Sequence, residues 1–132
     1  MSHAPGKWIS YTPTWGGTGG TPSIGNGTLA GRYVKIGDLV HAEIDLIFGS
    51  STTANSATLW TFDAPSNPAS KVAGAATWRG TYYGVGTVLR ESANVIYVVY
   101  GDGASASNFV GYQKPWTWAD THWLHLSFTY QA

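Results

Sequence analysis

The stretch "GNGTLAGRYVKIGDLVHAEIDLIFGSSTT", residues 25–53, decides the fold. Its second half alternates: Val40, Ala42, Ile44, Leu46 and Phe48 fall on one side of an extended chain, and His41, Glu43 and Asp45 on the other. At its centre, Gly37-Asp38 has the composition of a two-residue hairpin turn, because glycine supplies the positive φ needed at the first central position. Counting outward, Ile36 pairs with Leu39. Tyr33 then faces Ala42, Gly31 faces Ile44 and Leu29 faces Leu46 on the core side, while Arg32 faces Glu43 on the outer side. The missing side chain at Gly31 leaves room for Ile44 or for a ring from another strand.

The rest of the chain is written in the same idiom. Its 132 residues include 17 Gly, seven Trp and eight Tyr beside few Lys, Glu or Leu, the residues that build amphipathic helices. Residues 8–15 read as one extended segment and 16–27 as a Gly/Thr/Pro loop. "ATLWTFDAP" is a short strand ended by Pro65, with Trp60 and Phe62 on one face. Further strands are expected at about 71–79, 81–89, 93–100 and 121–130, with "GDGASASN" (101–108) among the connections. In the last strand Leu124, Leu126, Phe128 and Tyr130 share a face. Seven or eight short strands without a helical period predict an all-β fold. The chain is expected to form one antiparallel β-sandwich domain over 1–132, jelly-roll-like, with an extended N-terminal arm at about 1–27.

Charge and composition exclude several function classes. Seven Lys and Arg balance seven Asp and Glu, so no net field draws the chain to nucleic acid or an anionic membrane. The absence of cysteine excludes a disulfide framework and a zinc-thiolate site. "MSHAPGKW" has no basic start followed by an apolar run, and no stretch reaches the roughly 18 apolar residues of a membrane span.

The outer row His41, Glu43, Asp45 invites a catalytic reading, since alternate strand residues lie about 6.5 to 7 Å apart on one face and inverting glycosidases hold their carboxylates roughly 6.5 to 9.5 Å apart. Such an acid needs burial to raise its pKa, whereas Arg32 opposite Glu43 keeps that carboxylate ionised. His122 and His125 project to opposite faces of a strand and cannot share a metal ion. The serines lack a G-x-S-x-G elbow, and "GTGGT" precedes neither a Lys nor a helix. No catalytic residue, metal site or cofactor is expected. The aromatic surplus points to binding instead: Trp116 and Trp118 in "QKPWTWAD", with Tyr112 beside them, are the candidate contact surface, the alternative being that the two indoles close the end of the core. Val34, Ile36 and Leu39, with His41, gather on the outer face near the turn as a candidate oligomer or docking face.

The hairpin, "LWTFDAP" and the ending "HLSFTYQA", preceded by "WISYTPTWGG" in the manner of a W-x-x-Y-T-P-T-W opening, resemble the compact modules at the C-terminal ends of bacteriophage minor tail and tail-fibre proteins, especially of phages infecting actinobacteria. The resemblance spans nearly the whole chain. It implies a structural protein of the virion surface, assembled in the host cytoplasm and displayed as a symmetric oligomer, a homotrimer being favoured. Its implied partners are copies of itself, other virion proteins and host-surface glycan, with no nucleic acid and no membrane insertion. Modules of this kind usually end a long chain, whereas here Trp8 follows Met1 by seven residues. A stand-alone capsid decoration protein docked on the head lattice is therefore the second expectation, and a glycan-hydrolysing enzyme a distant third.

Overall fold

The hairpin forms in the register that counting predicts. In the computed structural model, which describes residues 6–101 and 108–132, strand β3 (Thr28–Ile36) pairs with β4 (Leu39–Ile47), and Tyr33↔Ala42, Gly31↔Ile44 and Leu29↔Leu46 alternate with Arg32↔Glu43. Gly37 takes φ +59° at the turn. The space over Gly31 is filled by the ring of Tyr11, whose Cε1 stands 2.6 Å from where a β-carbon would sit. Residues 1–5 of the expected arm and 102–107 of the expected connection lie outside the described residues.

Seven further strands complete the sheet: β1 (Ile9–Tyr11), β2 (Gly16–Thr18), β5 (Leu59–Asp63), β6 (Ala73–Arg79), β7 (Tyr83–Ser92), β8 (Val95–Val99) and β9 (Trp123–Gln131). They are hydrogen-bonded in the order β1-β3-β4-β9-β6-β7-β8-β5-β2, all antiparallel, and the nine-stranded sheet curls into a half-barrel, a sandwich-like all-β domain. The inner face carries the core: Val40, Ala42, Ile44 and Leu46 of β4, Leu124, Leu126, Phe128 and Tyr130 of β9, Trp60 and Phe62 of β5, and Ile96 and Val98 of β8 are all buried. Trp78 of β6 lies over Gly84 and Gly86 of β7, where any side chain would collide with the indole. β7 runs three residues past its predicted end, because a bulge between Arg90 and Ser92 carries the pairing to the turn at Ala93.

The segment at 16–27 is not wholly loop, since Gly16–Thr18 forms β2. A strand of Gly-Gly-Thr carries no hydrophobic period, so its pairing with β5 is invisible before the partner is known. The N-terminal segment thereby straps the half-barrel: β1 pairs with β3 at one edge and β2 with β5 at the other. Between them the Tyr11 hydroxyl donates to the Asp63 carbonyl at 3.0 Å, and the Thr14 amide donates to the Asp63 carboxylate. The sheet thus ends on each side in a strand of three residues, and such short edges limit edge-to-edge pairing with other chains.

Two consequences are measurable. Burial, then the Asp63 charge and Tyr130, push the Tyr11 phenol well above its ordinary range. A phenol whose folded pKa is raised contributes stability that is complete below its unfolded pKa of about 10 and is lost as pH rises toward the folded value. Unfolding free energy is therefore expected to fall above that pH, with a shallower slope in Tyr11→Phe; equal slopes would remove Tyr11 from the alkaline transition. On the outer face the Arg32 guanidinium donates to Glu43 Oε1 through Nε at 3.1 Å and Nη2 at 2.7 Å. Because Arg32 is solvent-exposed, a double-mutant cycle on this pair should return only about 0.2 to 1 kcal/mol.

Candidate functional site

The aromatic loop folds inward. Trp118 is 7% exposed, stacks on Phe48 at 5.8 Å and meets Trp60 at 5.0 Å, and its Nε1–H donates to the Lys114 carbonyl at 3.1 Å. Its candidacy as a contact residue is thereby corrected: burying a large ring against two others in the core outweighs displaying it. Trp116 is half-buried between Tyr82 (4.6 Å), Trp118 (5.5 Å) and His122 (5.9 Å), and its ring covers Gly80. Burial pushes the His122 imidazole below its usual pKa, which suits its Nδ1 for accepting the Ala119 N–H at 3.0 Å. Tyr112 is half-buried and borders a shallow recess of about 180 Å³ with Thr58, Phe109, Gln113 and Lys114. The loop is thus chiefly the closure of the core.

The outer hairpin face divides into two regions. At the turn, Ile36 and Leu39 face each other at 58% and 49% exposure, with Val34 and His41 half-buried beside them. Trp8 covers part of this region: its ring lies 4.3 Å from the Arg32 guanidinium and 6.0 Å from His41. His41 is held by Thr129 Oγ1 at 3.0 Å and Glu43 at 3.5 Å. Partial burial works to raise the Glu43 pKa, but hydrogen bonding and charge from Arg32, the His41 hydrogen bond and the His125 charge together bring it below the usual carboxylate value. Glu43 stays ionised and is unsuited to act as a general acid.

Asp45 lies in the second region, and there the geometry changes. β4 is flanked by β9, so Asp45 faces His125 and Ile47 faces Trp123 on the outer side. The His125 Nδ1–H donates to Asp45 Oδ1 at 2.6 Å. With Thr77 from β6 these side chains line a concavity of about 420 Å³. One half-buried indole, one isoleucine, a carboxylate, an imidazole and a hydroxyl thus converge on one spot, the apolar surface with a few fixed polar groups that small-ligand sites share. No protein-family model, curated protein or solved structure matches this chain. Function must therefore be read from the geometry itself.

Among the described residues no three His, Asp or Glu side chains gather as metal ligands do. Asp45 is exposed, and its Oδ1 is held by the His125 ring, which leaves its other oxygen to accept hydrogen bonds. What the arrangement offers is a flat ring beside hydrogen-bonding groups that can both accept and donate. Sequence reasoning singled out Asp45 but missed Trp123, Thr77 and His125 as its companions. The alternation that buries Leu124, Leu126 and Phe128 already turned Trp123 and His125 outward; the adjacency of β4 and β9, 80 residues apart at the Asp45–His125 pair, was the missing fact.

Proposed function

We propose that this protein is a non-enzymatic module of the virion surface, of tail-tip or fibre type, that recognises glycan on the host surface. The observation that carries the reading is the Trp123 concavity: a sugar ring presents an apolar face that stacks on an indole and a rim of hydroxyls that needs both donors and acceptors, here supplied by Asp45, His125 and Thr77. The resemblance to phage tail modules supports the same reading, and with it display as a homotrimer, for which sedimentation is the direct measurement. The test is adsorption of the purified protein to host cells and to their isolated surface polysaccharide. Trp123→Ala should weaken adsorption by about 2 kcal/mol or more while leaving the circular dichroism unchanged, and no reducing ends should be released. Unaltered adsorption by this variant would remove the concavity from the function.

The exposed Ile36–Leu39 pair favours a second reading, a capsid decoration protein that docks on the head lattice through the hairpin tip. Imaging of labelled protein on the intact particle separates the two, since label along the head supports decoration and label at the tail supports recognition.

A further inference from the structure

The concavity does not end at Trp123. On the outer face the same cross-strand row continues from Ile47 through Trp123 to Arg79 of β6 and Tyr83 of β7, and the neighbouring row runs Asp45, His125, Thr77, Val85. Tyr83 and Val85 are 72% and 73% exposed, the two most open large apolar side chains among the described residues. The Arg79 guanidinium lies 5.3 Å from the Tyr83 ring, is exposed, and has no carboxylate partner among the described residues. Trp123 and Tyr83 are separated by two strand spacings, about 10 Å. That distance matches the disaccharide repeat of an extended β-1,4-linked chain, which brings the same sugar face back at every second residue.

We infer that the site, taken as a glycan site, runs across the strands and holds an extended oligosaccharide with one ring on Trp123 and the next but one at Tyr83, and that Arg79 between them reads an oxyanion on that glycan. A guanidinium with no carboxylate partner among the described residues, held against an aromatic face, is a directional donor for carboxylate or phosphate. Asp45, at the opposite end of the platform and paired with His125, is left to accept from sugar hydroxyls. The oxyanion can belong to a uronic acid or to a phosphodiester, and the two share this recognition chemistry.

The inference rests on the glycan reading, and one titration series tests both. The probes are a neutral β-1,4-linked glucose pentasaccharide, the same pentasaccharide oxidised to glucuronate, and the same pentasaccharide carrying methyl phosphodiesters at C6. The intact protein should bind at least one anionic probe ten times more tightly than the neutral one, with the advantage shrinking as salt is added. Arg79→Gln should abolish that advantage, Arg79→Lys should retain part of it, and Trp123→Ala should weaken every pentasaccharide that binds. Preference for the glucuronate pentasaccharide identifies the carboxylate source, and preference for the phosphodiester pentasaccharide the phosphate source. Equal binding of neutral and anionic probes, or an anionic preference that survives Arg79→Gln, overturns the role of Arg79 while sparing the glycan reading. Binding of none of the three probes overturns both.

Discussion

Trp118→Ala should destabilise the protein by about 3 to 5 kcal/mol, the usual cost of truncating a fully packed tryptophan. The ring is 7% exposed and forms one member of a continuous aromatic cluster, in contact with Phe48, Trp60 and Trp116 at ring separations of 5.8, 5.0 and 5.5 Å. Removing it leaves a cavity lined by rigid rings that relax poorly, and it removes the Nε1–H donor from the Lys114 carbonyl, which still accepts the Gly111 N–H at 3.1 Å. Denaturant unfolding followed by tryptophan fluorescence measures the loss. Under conditions where the variant is still folded, adsorption to glycan should match wild type, because the outer concavity contains neither Trp118 nor any residue touching it in the cluster. A variant of near-native stability with impaired adsorption would reverse these assignments and return the loop to the role of contact surface.

Trp15→Ala should cost a similar amount, about 3 to 5 kcal/mol, for a different structural reason. Trp15 is 6% exposed and sits edge-on to Phe48 at 5.6 Å and to Trp60 at 5.0 Å. It is the bolt of the strap: immediately before it the chain is tied to Asp63, and immediately after it β2 pairs with β5. Its loss should therefore also accelerate amide hydrogen exchange in β2 and along Leu59–Asp63, ahead of the amides of the interior strands β4 and β9. Trp15 and Trp118 both pack on Trp60, so the double variant should lose less than the sum of the single losses, the signature of a shared contact. Strict additivity, or uniform exchange across the sheet, would show that the strap is not a separate unit.

The contrast between these two tryptophans and Trp123 marks the boundary between what the chain states locally and what folding adds. The alternation in β4 and β9, the Gly37-Asp38 turn and the Arg32–Glu43 pairing were all legible in the amino-acid sequence, because each depends on the period of two of a strand or on counting outward from a turn a few residues away. The sequence by itself also determined that Gly31 must receive something, although only the fold identified the occupant as Tyr11. Strand order was not legible, since antiparallel neighbours far apart in sequence are chosen by the packing of whole faces rather than by any local signal. That choice put β9 beside β4 and β6, and so placed Trp123, His125 and Thr77 around Asp45. It also decided between the two readings of Trp118, contact surface or closure of the core, and drew Trp15 inward from the extended N-terminal arm, because a curled sheet leaves the end of its core open and large rings are what close it. Which indoles face solvent is settled by that competition for buried volume, and only the tertiary structure carries its result.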